Sequence, residues 1–357
     1  MPGVFAWEKE SYSERRSDKR MNLKKTMDLQ LFATQVTTQD SLSPEMKTFY
    51  DMTLIDEAGS NLVHDQFGQK RPIPANGGKT IEFRKFSPLP KATQPLTEGV
   101  TPDGNSLNVS TVTATVHQYG DFIVQSDVLE LTAIDNTIVE AAKLLGRQAG
   151  TTLDTVVRNI LHTGTNVTYC PKKGADGSEI EVTSRAALDE TAMLTVDVVN
   201  QVVAKLRAQN APTIDGKYVA IIHPYVAYDL MRDPEWIDAH KYAAVDNLYE
   251  GEIGEIGGVR FVQTTEAKVY TGDGCPAGLA VFGSLFFGDG AYGVTEIQGG
   301  GLETIVKQKG SGGTSDPLDQ RSSVGWKALK TAELLIPNYL IRVESCSKRF
   351  SATAQAN

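Results

Sequence analysis

The sequence predicts an α+β fold in which an arm and a long β-hairpin precede one long helix and a lobe of mixed helices and strands. Three observations predict it. Apolar and polar residues alternate from Lys79, and the alternation resumes at Leu107 after a proline-rich interruption. Apolar residues then recur at three- and four-residue steps from about Asp135 to Leu161. Beyond residue 195, short helical and strand patterns alternate without the regular rhythm of a βαβ array.

Residues 1–60 read as a polar arm. One short helix is expected in "SPEMKTFYDMTLIDEAGS", opened by Ser43 and Pro44 and closed by Gly59. The first twenty residues have no apolar centre between their charges, which excludes a secretory signal. Met21 and Met27 fall within this leader and are alternative starts.

In "KTIEFRKF" Ile81 and Phe83 share one face, while Thr80, Glu82 and Arg84 share the other, as a half-buried strand requires. The run "SPLPKATQPLTEGVTPDGNS" has four prolines and no periodicity, so it reads as a tip. "LNVSTVTATV" returns as a strand. Leu107 and Val109 lie on one parity and Val112, Ala114 and Val116 on the other, which predicts a bulge near Ser110 and Thr111.

The helix at 135–161 draws its core from Ile138, Ala141, Ala142, Leu145, Ala149, Leu153, Val156 and Ile160. Lys143, Arg147, Asp154 and Arg158 fall on the opposite face. Thr137 and Glu140 fit a capping box, and Gly164 sits where a closing glycine belongs. Gly146 and Gly150 cost about 1 kcal/mol each against alanine, so a close approach or a bend is expected there. His162 is expected to act as a cation at the helix C-terminus.

The rest follows as a helix near 195–209, a strand at 217–222 and a helix opened by Pro224. Strands are expected near 258–263, 279–287, 292–297, 302–309, 322–328 and 339–346.

Composition narrows the function. Hydrophobic residues make up 40% and charged residues 22%, ordinary for a globular protein. No run approaches the ~20 apolar residues of a membrane span. Cys170, Cys275 and Cys346 are few, odd in number and far apart, against a disulfide framework and for a reducing compartment. The net charge is −9, but the leader 1–27 carries +3 and residues 66–91 carry +5 (Lys70, Arg71, Lys79, Arg84, Lys85 and Lys91 against Glu82). Basic protrusions on an acidic body suit docking between copies of one chain better than tight nucleic-acid binding.

The enzyme signals fail on inspection. Gly78-Lys79-Thr80 ends like a phosphate loop. Ile73, however, stands where that loop's first glycine belongs, two prolines stiffen the approach, and a strand follows instead of a helix. The five histidines never fall at zinc spacing, and "GEIGEIGGVRF" lacks the dinucleotide fingerprint. No catalytic, cofactor or metal residue is therefore expected.

The order of parts, with long runs such as "NLVHDQFGQKRPIPANGGKTIEFRKFSPLPKATQPLTEGVTPDGNSL", "SDVLELTAIDNTIVEAAKLLGRQAGTTLDTVVRNIL" and "DQRSSVGWKALKTAELLIPNYLIRVES", resembles the major capsid proteins of tailed bacteriophages. Their fold is shared with the herpesvirus capsid shell. The resemblance spans about Leu29 to Ser347, and the leader departs from it. It implies an N-terminal arm at 28–65, an extended loop at 66–120 lying over a neighbour, and a peripheral domain at 121–194 with 135–161 as its spine. It further implies a mainly axial domain at 195–300 and C-terminal strands at 301–357 returning to the peripheral domain.

The function implied is that of a structural subunit, assembling as hexamers and pentamers into an icosahedral shell around double-stranded DNA. Such a protein belongs to the virion and is assembled in the bacterial cytoplasm. Its partners are other copies, scaffold, portal and decoration proteins, and DNA contacted weakly without sequence specificity. Lys79, Phe83, Arg84, Lys85, Phe86 and Lys91 are the expected inter-subunit contacts. The alternative is an encapsulin-like compartment of the same fold enclosing cargo protein.

Overall fold

The computed structural model describes Leu54, Glu57 and Ala58 and then residues 62–357. Within that span 75–77, 87–88, 97, 100, 102–103, 133–136, 241–253, 296–299 and 312–315 are left out. The leader and most of the short helix expected at 43–59 lie outside the described residues. Leu54, Glu57 and Ala58, which belong to it, are helical.

Two sheets carry the fold. Strands β1 (Gln69–Lys70), β4 (His117–Ser126), β13 (Tyr292–Thr295), β14 (Glu303–Lys307) and β15 (Arg321–Leu334) form the first. β15 is its centre, pairing along one edge with β4 and along the other with β14 and then β13. The second sheet runs β5 (Val167–Tyr169), β16 (Leu340–Ser345), β12 (Val281–Phe287), β8 (Tyr218–Ile222), β10 (Val259–Gln263) and β9 (Glu255–Ile256), with β11 (Val269–Tyr270) beside β12. The last two long strands thus part company: β15 lies in the first sheet and β16 in the second.

The second sheet is covered on both faces, which explains why "YVAII" reads as a continuous apolar run with every residue buried. Ala220 and Ile222 face the helix Val196–Ala208, whose Val199, Val202 and Leu206 fill that side. Val219 and Ile221 face the end of the long helix Thr137–Leu161, through Val157 and Leu161. The other half of the long helix packs Ala142, Leu145, Ala149 and Leu153 on Val324, Trp326 and Ala328 of β15. At about 37 Å for 25 residues, the helix is long because it spans both sheets. None of the described helices is long and apolar enough to cross a membrane.

The sequence misplaces the faces of this helix. Val156, Ile160 and Ile138 are only half-buried, and the inward positions at its end are Val157 and Leu161. Asp154 and Arg158, expected in solvent, are 0% and 1% exposed. The reason is the row of residues at four-step spacing, Ala142, Gly146, Gly150, Asp154 and Arg158, all buried. The two glycines do admit a close approach: a β-carbon on Gly146 would stand 2.8 Å from the backbone oxygen of Leu54. The segment before the hairpin lies along this row, and the same row reaches Asp154 and Arg158.

Other corrections are local. Thr137 is the first residue inside the helix, and its hydroxyl donates to Gln125 Oε1 at 3.2 Å. Gly164 is not left-handed, and the helix ends on Thr163 N–H donating to Ile160 O. His162 is no capping cation. It is buried against Tyr270, whose hydroxyl lies 3.0 Å from Nδ1, and burial drives its pKa well below the usual histidine value, leaving it neutral. The bulge is absent: Thr80–Phe86 (β2) pairs residue for residue with Val109–Thr115 (β3). The change of phase arises because Val109 and Leu107 stay exposed while Ala114 and Val116 are buried.

Candidate inter-subunit surfaces

The hairpin β2–β3 is fastened at its base. Before it, β1 adds in parallel to β13, and Arg71 N–H donates to Val294 O at 3.1 Å. After it, Val116 N–H donates to Lys79 O, and β4 runs on directly along β15. Gly78, left-handed at φ 90°, turns the chain into β2, so Gly-Lys-Thr is a turn before a strand.

A buried polar knot holds the segment leading in. Asp154 Oδ1 accepts Val63 N–H at 2.9 Å and His64 N–H at 2.7 Å, while its Oδ2 lies 2.6 Å from His64 Nδ1. The Tyr292 hydroxyl donates to His64 O at 2.5 Å, and Lys330 pairs with Asp65 at 2.7 Å. No signal in residue types alone marks Asp154. The spacing of four from Gly146 and Gly150 would have found it.

The expected contact residues separate into two groups. Phe83 is 3% exposed: its ring packs where a side chain on Gly293 would stand, with the Arg71 guanidinium 5.9 Å from its centre. It therefore anchors the hairpin to its own chain. Lys79, Arg84 and Lys91 are exposed and Lys85 half-exposed, all without an ion pair among the described residues. The side chain of Phe86 lies outside the described residues. Further out, Leu89, Leu96, Leu107 and Val109 are 54%, 78%, 70% and 43% exposed. A second apolar surface runs along the outer face of the first sheet and onto the helix Asp127–Thr132, through Phe122, Val124, Val128 and Leu131. Phe122 and Val124 face away from the long helix, beside Gly325, Ile305 and Lys307. Scattered apolar side chains are ordinary on a surface, but contiguous ones mark contact with another chain.

Elsewhere the polar groups serve the fold. Glu344, fully buried, takes a two-pronged bond from Arg185 and lies 2.9 Å from Arg342 Nε. The thiol of Cys346 is pushed up to about 12 by burial, and that of Cys170 higher still, so both stay protonated. Among the described residues no three His, Cys, Asp or Glu side chains form a group that would hold a metal.

This architecture, two sheets bridged by one long helix with a hairpin thrown out from the base of one of them, is that of a viral shell subunit. The profile of the family described as phage capsid protein matches residues 130–309, and the chain belongs to that family. It is a structural protein of a phage capsid and so a component of the virion. Solved capsid structures share its fold. That of the cyanophage P-SCSP1u is 15% identical, with a TM-score of 0.61 over 80% of this chain and 88% of that one. The capsid of Ralstonia phage GP4 is 14% identical, with a TM-score of 0.60 over 80% and 88%. The head of Helicobacter pylori bacteriophage KHP40 is 14% identical, with a TM-score of 0.55 over 77% and 88%. No curated protein sequence matches the chain. A phage capsid family does not favour the cargo-compartment alternative.

Proposed function

We propose that copies of this chain assemble as hexamers and pentamers into a closed icosahedral shell around a double-stranded DNA genome, with the hairpin of each copy laid across its neighbour. One observation carries this reading. The hairpin is locked at its base by Phe83 and the strands beside it, yet beyond the base it exposes Leu89, Leu96, Leu107 and Val109 together with the cations Arg84, Lys85 and Lys91, which have no ion pair among the described residues. A rigid projection carrying apolar and cationic groups has little use on a monomer, because both are satisfied only on another surface.

The receiving surface is the outer face of the neighbour's first sheet, where Phe122 and Val124 are 67% and 51% exposed. The acidic remainder of the chain supplies the countercharge. On this reading residues 28–65 are the N-terminal arm, 66–120 the extended loop and 121–194 the core of the peripheral domain. Residues 195–300 are mainly the axial domain, and 301–357 are the returning strands. Assembly takes place in the host cytoplasm with scaffold and portal proteins, decoration proteins bind the finished shell, and the chain performs no catalysis.

The test is the double reversal Arg84→Glu with Lys85→Glu, followed by light scattering and electron microscopy in low salt. Assembly is expected to weaken, with the unassembled subunit nearly as stable as before, since neither side chain has an ion pair within its own chain among the described residues. Shells forming at the wild-type rate would sink the assignment.

A further inference from the structure

Far from the hairpin, four cations meet in one surface cleft: Lys173, Arg232, Lys348 and Arg349, with Asp229 and Asp233 as the acidic groups present. Four positive charges against two negative ones leave +2, in a chain whose net charge is −9. Of the two carboxylates, that of Asp233 is already engaged. Asp233 accepts Val196 N–H at 2.9 Å and Glu235 N–H at 3.1 Å, so it caps two helices. Asp229 is partly buried beside Arg232 and Arg349, and burial raises its carboxyl above the usual carboxylate range.

The cations are not engaged in the same way. Lys173 and Lys348 have no ion pair among the described residues. Glu179 stands opposite Lys173 across the short hairpin Lys172–Lys173 and Glu179–Ile180, and does not bind it. The guanidinium groups of Arg232 and Arg349 lie 5.6 and 5.9 Å from the centre of the Tyr228 ring, and Arg232 Nη1 donates to the Tyr228 hydroxyl at 3.0 Å. The hydrogen bond holds Arg232 beside the ring and a cation–π contact holds Arg349 near it, and most of their N–H groups stay free for an oxyanion. The cleft also opens at Leu194 and Thr195, beside the N-terminus of the helix Val196–Ala208, whose dipole adds to the positive field.

We propose that this cleft is a phosphate-binding site, with Lys173, Lys348, Arg232 and Arg349 as its donors. The phosphate comes from a nucleic-acid backbone or from free inorganic phosphate. A charge of +2 matches one phosphate dianion, or two consecutive backbone phosphates, and the arginines held beside Tyr228 give it a geometry that a diffuse basic surface lacks.

The test uses the full-length protein in low salt. Binding of inorganic phosphate is measured by calorimetry and that of a short DNA duplex by fluorescence anisotropy, for the wild type and for Lys173→Ala with Lys348→Ala. Neither lysine contacts its own chain through its ammonium group, so the variant keeps its circular dichroism and melting temperature. Lys348→Gln alone is a milder second variant. Phosphate affinity should fall about tenfold for each lysine lost. A parallel fall for the duplex identifies backbone phosphate as the source, and a fall confined to inorganic phosphate identifies the free ion. Absence of binding to the wild type, or binding unchanged in the variants, overturns the proposal. So does variant-sensitive binding of polyglutamate without binding of phosphate, which would assign the cleft to an acidic protein segment.

Discussion

Removing the carboxylate of Asp154 tests how the chain is held at the root of the hairpin. In Asp154→Ala two backbone N–H groups, those of Val63 and His64, lose a charged acceptor inside the protein, and the His64 ring loses its partner. Both Asp154 and His64 are fully buried, so water does not simply take over. A hydrogen bond to a charged group is worth about 1.5 kcal/mol at the low end. Three such losses give about 4 kcal/mol, in line with the cost of breaking a buried pair. For a chain of this size that corresponds to a fall in melting temperature of roughly 8 °C. Urea denaturation and calorimetry of the unassembled subunit measure it, with Asp121→Ala, whose exposed carboxylate also accepts two hydrogen bonds, as the control that should lower the midpoint far less. Limited proteolysis should also nick the variant earlier between residues 62 and 79. A loss below about 1 kcal/mol, with no change in proteolysis, would refute the claim that Asp154 pins this segment.

Phe83→Ala removes a ring buried at the foot of the hairpin and should cost about 3 kcal/mol by urea denaturation, and slow assembly. Gly293→Ala should loosen the same foot, because the new methyl would stand 2.7 Å from the Phe83 ring; this shows as reduced hydrogen-exchange protection in β2. The subunit should lose stability in acid through His223, whose pKa burial lowers from 6.5 to about 4. The unfolded chain then takes up the proton first, so stability is complete above about pH 6.5 and declines from there down to about pH 4. His162, lowered by the same cause, adds to the loss. His223→Asn keeps an acceptor for the N–H of Tyr225 and should flatten that decline in thermal melts followed against pH.

The hairpin and the four longer strands of the second sheet, β8, β10, β12 and β16, were legible in the sequence because their residues face one environment each, so period and burial coincide. The register Ile81–Ala114 and Phe83–Val112 follows from matching buried faces. The strand His117–Ser126 was not legible. As an edge strand with both faces partly open, it carries Phe122 and Val124 where alternation demands polar residues. β15 is read as seven residues and runs to fourteen, because past Lys330 it leaves β4 behind and pairs with β13 in place of β14, and the apolar pattern shifts with it. Asp154 and Arg158 look like solvent-facing charges when only apolar residues are counted, although they continue the four-step row of Gly146 and Gly150. Only the distant His64 and Glu266, 90 and 108 residues away, explain their burial. For the candidate surfaces, residue type identified the cations at Arg84 and Lys85. It could not separate Phe83, which turns inward, from the apolar side chains that turn out.

Electron microscopy of the purified protein, expressed alone and with the scaffolding protein proposed above, tests the central claim most directly. The account predicts closed shells, or rings of six and five subunits, in which the hairpin of one copy covers Phe122 of the next. A protein that stays a compact monomer under both conditions, at every concentration, would contradict it.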